Sequence, residues 1–330
     1  MSGKWLAALA LVALLAPHAR ANDTVTVQLV KSTSQAPYYI ALGKGYFAKE
    51  GITVDAGETR SALDTVAPLA QGQLDLSMGA ATAGFFNAAY RGFDLRIVAA
   101  LGIQGPVMAT QPLVRKALWD NGTIRSAKDL KGRKVAINAP GDITEVFLTM
   151  MLQKYGMSLS DADVSPLGFA EQFVAFKNGA IDAGFLPEPL ATSAKLAGEV
   201  ALLQPEEGIG EGIPTTFVFC GLHFMHDRPK VALAFMRALI RGARDAQGAY
   251  NKDPAIAAMI AKETGLTPQA VTQSTAYMFD PNLDIERYES GLRREESIDR
   301  ANGRLTYDTP LDFATMIDFR LAHEAAAQVK

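Results

Sequence analysis

Two short stretches of this sequence carry nearly the same pattern: Gly72-Gln-Leu-Asp-Leu-Ser-Met-Gly79 and Asn178-Gly-Ala-Ile-Asp-Ala-Gly184. In each, a glycine follows a helical run, which suits the left-handed position that closes a helix. The aliphatic residues around the aspartate then predict a short, buried parallel strand that leads into a loop. The repeat indicates two lobes built alike, whose loops can close on a small molecule between them.

The loops that follow the two copies differ in chemistry. The first copy opens into the small residues Gly79-Ala-Ala-Thr82, which offer backbone groups. The second opens into Phe185-Leu-Pro-Glu188, which offers a ring and a carboxylate between two prolines. We expect a ligand to lie between these two loops.

Composition sets broad limits on what the chain can be. Its 330 residues indicate two domains or one large one, and 48% hydrophobic residues are enough for sizeable cores. The formal net charge of -3 gives no indication of a nucleic acid or an anionic membrane as a partner. Cys220 is the only cysteine, so no intramolecular disulfide can form, and its apolar surroundings predict a buried core thiol.

The first residues have the pattern of a secretory signal peptide. Lys4 precedes a short apolar stretch at residues 5–16, and Pro17 is followed by the small-x-small site Ala19-Arg20-Ala21. The apolar stretch is too short to favour an uncleaved membrane anchor. We therefore predict cleavage after Ala21 and a soluble protein in the periplasm.

Strands alternate with helices along most of the chain, which predicts α/β lobes with doubly wound, mainly parallel sheets. Strands are expected at residues 24–30, 52–54, 74–78, 95–101, 134–138 and 163–167, and helices beyond Arg228 at 230–250, 254–262, 268–276, 284–300 and 311–328. Two crossings, near 102–115 and 203–216, join the lobes. The predicted organisation is a signal peptide at 1–21, a first lobe at 22–110 plus 205–330, and a second lobe at 111–204.

Motifs of catalysis are missing from the sequence. It has neither a Gly-x-Ser-x-Gly elbow nor a phosphate-binding loop that ends in Gly-Lys-Ser/Thr. His223-Phe-Met-His226 offers two imidazoles, but no third metal ligand is evident, so a surface or capping role is favoured. We therefore predict no catalytic residue, no metal and no cofactor.

Several segments, in order, resemble one known family. They are Ala36-Pro-Tyr-Tyr-Ile-Ala-Leu-Gly-Lys-Gly-Tyr-Phe-Ala-Lys-Glu-Gly-Ile-Thr-Val54, Gly72-Gln-Leu-Asp75, Arg91-Gly-Phe-Asp-Leu-Arg-Ile-Val-Ala-Ala100, Ser126-Ala-Lys-Asp-Leu-Lys-Gly-Arg-Lys-Val-Ala-Ile137, Asn178-Gly-Ala-Ile-Asp182 and Pro187-Glu-Pro189. This set, within residues 24–250, resembles the solute-binding proteins of ABC importers for sulfonates, taurine, nitrate and thiamine-precursor pyrimidines. The resemblance implies a two-lobed periplasmic binding protein of type II-like fold that closes by hinge motion.

The same resemblance implies a function and its partners. The chain would capture a small solute in the cleft, as a monomer, and deliver it to an ABC permease at the membrane with its ATPase. Two alternatives stay open: an enzyme of cofactor biosynthesis on the same fold, and a sensory binding protein that presents its ligand to a membrane receptor.

Ligand groups in such a fold come from loops at strand carboxyl ends and from helix starts. Five segments meet this description, at residues 34–36, 60–61, 80–82, 141–144 and 186–188, and nearby rings add to them. The predicted ligand-binding residues are Ser34, Gln35, Tyr38, Arg60, Ser61, Ala81, Thr82, Asp142, Thr144, Phe185 and Glu188.

Each of these candidates also has a structural alternative. Ser34, Gln35, Thr82 and Asp142 occupy places where they would cap a helix. Arg60 is either a bidentate clamp for an acid group or a solvated surface arginine. Glu188 is either a ligand acceptor or a structural carboxylate on the hinge side, and the rings of Tyr38, Phe85 and Phe185 either line the pocket or pack in a core.

Charge in the candidate loops favours an organic ligand. Arg60 and Lys31 supply positive charge, while Glu58, Asp142 and Glu188 supply negative charge. Buried carboxylates need donors or cations as partners. We therefore expect a solute that carries N–H or O–H donors together with a ring or an acid group, in preference to a bare oxyanion such as nitrate.

Overall fold

The computed structural model describes residues 22–204 and 209–329. The predicted signal peptide at 1–21 lies outside these residues. The strands are β1 (Asp23–Leu29), β2 (Ile52–Glu58), β3 (Leu76–Gly79), β4 (Leu95–Ala100), β5 (Thr110–Arg115), β6 (Lys134–Ile137), β7 (Asp163–Pro166), β8 (Ala183–Pro187), β9 (Val200–Leu202) and β10 (Phe217–Gly221). The helices are α1 (Ala36–Gly43), α2 (Tyr46–Lys49), α3 (Val66–Ala70), α4 (Ala83–Tyr90), α5 (Lys116–Asp120), α6 (Ile143–Gln153), α7 (Phe169–Asn178), α8 (Leu190–Leu196), α9 (Leu222–Asp227), α10 (Pro229–Asp245), α11 (Pro254–Thr264), α12 (Pro268–Gln273), α13 (Glu289–Ala301) and α14 (Arg320–Gln328).

Two sheets define two lobes. The first sheet has the strand order β2-β1-β3-β10-β4 and the second has the order β7-β6-β8-β5-β9. In the first, β1 runs parallel to β2 and β3, and β10 is antiparallel to β3 and β4. In the second, β6 runs parallel to β7 and β8, and β5 is antiparallel to β8 and β9. The predicted class, two α/β lobes with mainly parallel sheets, is confirmed.

Each sheet separates two hydrophobic cores, because its central strands are buried on both faces, whereas the edge strands β2 and β7 are largely exposed. Cys220 lies in β10, fully buried in the core of the first lobe. Burial raises the pKa of its thiol. The expectation of a buried core thiol is therefore confirmed.

The sequence repeat has a structural cause. Its glycines, Gly72 and Gly179, both adopt the left-handed conformation, with φ of 71° and 69°. The aspartate of each copy then precedes a strand in the middle of its sheet, β3 in one lobe and β8 in the other. The two copies therefore occupy equivalent places in the two sheets.

The two aspartates also make the same contacts. The carboxylate of Asp75 accepts a hydrogen bond from the backbone N–H of Thr26 in β1, at 2.9 Å. The carboxylate of Asp182 accepts one from the backbone N–H of Lys134 in β6, at 3.2 Å. Each also pairs with an arginine, Arg228 at 3.2 Å in the first lobe and the last residue of β5 at 3.0 Å in the second. Each therefore ties the beginning of a central strand to its neighbour, at the middle of β1 in the first lobe and at the first residue of β6 in the second.

The chain leaves the first sheet after β4 and returns to it before β10, and its two crossings pair with each other. The backbone N–H of Leu101 donates to the carbonyl of Thr216 at 2.7 Å, and that of Gln104 donates to Ile213 at 3.0 Å. Residues 205–208 of the return crossing lie outside the described range. The exact lobe boundaries remain a prediction.

The C-terminal helices contact both lobes. Helix α10 packs on α1 in the first lobe, α12 packs against α8 in the second, and α13 packs against α6 in the second. Among the described residues, no helix combines the length and apolarity needed to cross a bilayer.

One predicted helix, at 311–328, is wrong over its first half. Asp312 caps a single 3-10 turn, Phe313–Thr315, and Ile317 then forms a bridge beside β4. Helix α14 begins only at Arg320. The ring of Phe313 is buried, stacked against a ring of α4, so tertiary packing determines the conformation of this segment.

Candidate functional site

A small cavity lies between the two lobes, where strand ends and helix starts of both sheets meet. Its volume is about 30 Å³, room for about two water molecules. From the first lobe and the C-terminal segments it is lined by Val30, Ser32, Ser34, Gln35, Ala62, Gly79, Ala80, Thr215, Thr216 and Tyr277, and from the second lobe by Thr110, Asn138, Asp142, Ile143, Phe169 and Pro187. Both lobes therefore contribute hydrogen-bonding groups to one small space.

The loop after β1 supplies the polar wall of the first lobe. Ser32 caps a short 3-10 turn and accepts from the backbone N–H of Ser34 at 3.1 Å. The Ser34 hydroxyl donates to the side-chain oxygen of Gln35, whose amide donates to the carbonyl of Met78 at 3.3 Å. Gln35 precedes α1 without a side-chain capping bond. Ser34 and Gln35 thus line the cavity and do not cap α1.

The start of α6 supplies the polar wall of the second lobe. Asp142 caps this helix, because its carboxylate accepts from the backbone N–H of Thr144 at 3.0 Å and from the Thr144 hydroxyl at 3.1 Å. Asn138 donates to the same carboxylate at 3.3 Å, and its own side-chain oxygen has no partner among the described residues. Burial raises the pKa of the Asp142 carboxyl. Asp142 therefore both caps the helix and lines the cavity.

Positive charge is confined to the mouth of the cleft. A pocket of about 260 Å³ lies there and shares Val30 and Phe169 with the inner cavity. Arg60 borders it with a side chain that is 74% exposed, 4.0 Å from Glu171. The described residues that line the inner cavity include no Lys, Arg or His.

The lobes touch each other directly around the cavity. The backbone N–H of Ala83, at the start of α4, donates to the carbonyl of Gly141 at 2.8 Å. The Asn138 amide donates to the carbonyl of Arg60 at 3.3 Å. These contacts join loops and helix starts from opposite lobes, so this is a closed arrangement of the cleft.

Glu188 is fully buried and is not among the residues that line the cavity; its carboxylate lies in a network of donors. It accepts from the side-chain amide of Gln111 at 3.0 Å, from the backbone N–H and hydroxyl of Thr192 at 2.9 Å, and from the backbone N–H of Thr275 at 3.1 Å. The Lys195 ammonium lies 3.8 Å away. Burial raises the pKa of this carboxyl. These contacts favour the structural, hinge-side role of Glu188.

Four other predicted residues have structural roles: they cap helical turns, pack in a core or accept a backbone hydrogen bond. Thr82 caps α4 through the backbone N–H of Phe85 at 3.2 Å, and Ser61 caps the 3-10 turn Ala62–Thr65. Ala81 is buried in the hydrophobic core of the first lobe. Thr144 is fully buried and accepts from the backbone N–H of Asn138 at 2.8 Å.

The predicted rings lie in hydrophobic cores. Tyr38 packs edge-on to Tyr39 in the core of the first lobe, and Phe185 lies in the core of the second. Phe85 packs on Phe219 of β10. Of the eleven predicted residues, the cavity brings together Ser34, Gln35 and Asp142, and Arg60 lies at its mouth. Direct ligand contacts remain predictions for all of them.

Several cavity residues were missed by the sequence analysis. Asn138 directly follows β6. Because ligands bind at the carboxyl ends of strands in such sheets, its position alone was enough to predict it. Tyr277 follows α12, and its hydroxyl lies 2.9 Å from that of Thr110 in β5. No local pattern marks Tyr277, because tertiary packing alone brings it to the cavity.

The possible metal ligands that lie together in the structure do not include the two histidines noted in the sequence, His223 and His226. His223 and His226 lie on α9. Within the described residues, the one group of at least three such side chains is Asp284, Glu286 and His323, whose ligand atoms lie within 4.8 Å of one another. These side chains are at the surface, and none of them lines the inner cavity.

A family model described as NMT1/THI5 like matches residues 32–274. The chain is 26% identical over 223 residues to a 4-amino-5-hydroxymethyl-2-methylpyrimidine phosphate synthase of Uromyces fabae. This match covers 63% of this chain and 61% of that protein. It is 24% identical over 239 residues to the riboflavin-binding protein RibY of Chloroflexus aurantiacus, with coverage of 67% and 61%. The matched region thus spans 61% of the length of each of these curated relatives.

A solved structure agrees with the fold described above. The periplasmic nitrate-binding protein NrtA of Synechocystis PCC 6803 matches with a TM-score of 0.78 at 17% identity, over 94% of this chain and 89% of that one. At this level of identity the likeness establishes a shared fold, that of a periplasmic binding protein.

Proposed function

Since the chain belongs to the NMT1/THI5-like family, we propose that it is the extracytoplasmic solute-binding component of an ABC-type importer. It captures a small organic solute between its lobes and delivers it to a membrane permease with its ATPase. The export pattern at residues 1–21 and the fold shared with a periplasmic binding protein support this proposal. The protein acts as a monomer in the periplasm, and its signal peptide is cleaved after Ala21.

One observation carries the proposal: the cavity between the lobes is lined by neutral hydrogen-bonding groups and one carboxylate. Ser32, Ser34, Asn138 and Tyr277 offer donors and acceptors, and Asp142 offers an acceptor with negative charge. No cation from the described residues balances that carboxylate inside the cavity. A bare oxyanion would therefore meet repulsion there, whereas a solute with N–H or O–H donors would satisfy Asp142.

The size of the space indicates how such a solute is held. The inner cavity, at about 30 Å³ in this closed arrangement, is smaller than an organic ring. Because the inner cavity and the mouth pocket share Val30 and Phe169, a larger solute extends from one into the other. Its donor groups face Asp142, and an acid group or ring reaches the mouth near Arg60.

A second candidate function is an enzyme of cofactor biosynthesis on the same fold. One observation favours it, namely that a relative is called a pyrimidine phosphate synthase. The cavity-lining residues described above lack a histidine that would act as a general acid or base, which supports binding without chemistry. Incubation with a bound solute, followed by mass spectrometry, separates the two because an enzyme would release a changed molecule.

Calorimetric titration tests the proposed ligand class. We expect 4-amino-5-hydroxymethyl-2-methylpyrimidine, as a probe with N–H and O–H donors, to bind more tightly than nitrate. Tight binding of nitrate without a response to organic solutes would contradict the proposal.

The substitution Asp142→Asn is the site-specific arm of this test. Asparagine retains the capping oxygen but removes the charge, so α6 stays capped. A hydrogen bond to a charged group contributes about 1.5–3 kcal/mol, and part of this is lost, so we expect the aminopyrimidine probe to bind about tenfold more weakly. Asp129→Asn is a matched control, because Asp129 caps a turn in the same lobe but does not line the cavity. Equal affinities of the two variants would exclude a direct role for Asp142.

A further inference from the structure

Two buried carboxyl groups lie where the lobes meet. Helix α13 of the first lobe packs against α6 of the second. Glu295 and Asp299 stand one helical turn apart on α13, and both are 1% exposed. Oε1 of Glu295 and Oδ1 of Asp299 have no hydrogen-bond partner among the described residues. The cavity and the proposed solute contacts do not involve either residue.

The groups that face this pair are mostly acidic as well. Helix α6 contributes Asp142 and Glu145, whose charges act on Asp299. Arg304, in the loop after α13, is the nearby cation, and it donates to both oxygens of Glu145 at 2.8 Å. Four carboxyl groups thus share one guanidinium whose hydrogen bonds are made to only one of them.

The remaining charges on neighbouring elements are engaged elsewhere. Helix α4 carries no charged side chain, and Arg294 on α13 is exposed to solvent. Tyr288 and Tyr307 are the nearby titratable groups without charge at neutral pH, with pKa values raised by burial. The described ion pairs around the cluster are Arg293–Glu289, Arg300–Glu296 and Arg287–Asp280.

Burial without a counter-charge favours the protonated form of both acids. Burial, together with the neighbouring carboxylates, raises the pKa of Asp299 to about 8. Burial and the charges of Asp299 and Asp142 hold the pKa of Glu295 well above its usual range. In the closed arrangement Asp299 therefore carries a proton at neutral pH, and the same burial favours the protonated form of Glu295.

We propose that Glu295 and Asp299 form a proton-binding site between the lobes that couples closure of the cleft to pH. The closed arrangement holds protons on this pair. When α13 and α6 part, water reaches the carboxyl groups and they ionise. The proposal rests on the two-lobed fold and does not depend on the identity of the solute.

The direction of the effect follows from linkage. The pKa of Asp299 is about 8 when closed and near the ordinary carboxyl value of about 4 when solvated, so closure takes up a proton between these pH values. Rising pH therefore favours the open form, by up to about tenfold per pH unit for each proton taken up. Above pH 8 the contribution of Asp299 levels off. Solute capture is then favoured at acidic pH and release at alkaline pH.

Small-angle X-ray scattering of the solute-free protein tests this between pH 5 and pH 9. We expect the wild-type radius of gyration to increase as pH rises. The double variant Glu295→Gln, Asp299→Asn carries neutral side chains of the same shape, so it should stay closed over the whole range. Glu289→Gln, at a more exposed acid of the same helix, should keep the wild-type response.

Two outcomes would overturn the proposal: a wild-type radius that does not change with pH, or a pH response that survives in the double variant. If the double variant does not fold, the single variant Asp299→Asn replaces it and should reduce the pH response. No solute is present in these measurements, so their failure would leave the proposed transport function intact.

Discussion

Replacing Glu188 by alanine is expected to lower the free energy of unfolding by about 3–5 kcal/mol, a large part of the stability of a typical domain. The side chain is fully buried, and removing it leaves the donors of Gln111, Thr192 and Thr275 without their acceptor. Lys195 would also lose a carboxylate 3.8 Å away. Buried donors without partners each carry a desolvation cost, which is why the expected effect is large.

Urea denaturation followed by circular dichroism measures this loss. The matched control is Glu58→Ala, since Glu58 is an exposed acid at the cleft mouth whose ion pair with Lys31 spans 3.0 Å. Such exposed pairs contribute about 0–1 kcal/mol. If both variants lost the same small amount, Glu188 would not be the structural centre of the hinge side.

Replacing Gly141 by alanine is expected to weaken solute binding by hindering closure of the cleft. A Cβ atom at this position would lie 2.4 Å from the Cβ of Ala83 in the opposite lobe. The close approach also brings the Ala83 N–H to the Gly141 carbonyl at 2.8 Å. Overpacking of this kind costs about 1–3 kcal/mol, which corresponds to roughly a 5- to 150-fold loss of affinity for the aminopyrimidine probe.

A control at Gly132 separates this clash from backbone strain. Gly132 and Gly141 lie in the same lobe with φ of 67° and 63°, but a Cβ at Gly132 would meet no atom within 4 Å. Both alanine variants therefore lose similar stability, about 1–2 kcal/mol, from the left-handed conformation. Only Gly141→Ala should bind weakly and show a larger radius of gyration. Identical affinities for the two variants would contradict closure through this contact.

Strands and helices could be predicted from the sequence where the residues that determine them lie close together in the chain. The repeat around Asp75 and Asp182 combines a helix-closing glycine, aliphatic residues and an aspartate, and each part has a structural role. Strands β3 and β8 follow from it directly. The helix expected from residue 311 failed for the opposite reason, because burial of Phe313 against α4 determines that segment.

The candidate site was predictable only where local rules apply. The rule of strand carboxyl ends reached Ser34, Gln35 and Asp142, and it would have reached Asn138. Tyr277 lies far along the chain from the other lining residues, and tertiary packing places it against Thr110. Sequence patterns also could not tell that the Glu188 carboxylate is held by a donor network outside the cavity lining, because two of the donors, Gln111 and Thr275, come from distant segments.

Native mass spectrometry of the exported protein, with identification of any molecule that it releases, tests the central claim most directly. The account predicts a small organic solute with N–H or O–H donors, bound without a covalent bond and released unchanged. It also predicts loss of that solute from the Gly141→Ala variant and its retention by the Gly132→Ala variant. Release of a chemically altered product, or a protein that carries only an inorganic oxyanion, would contradict it.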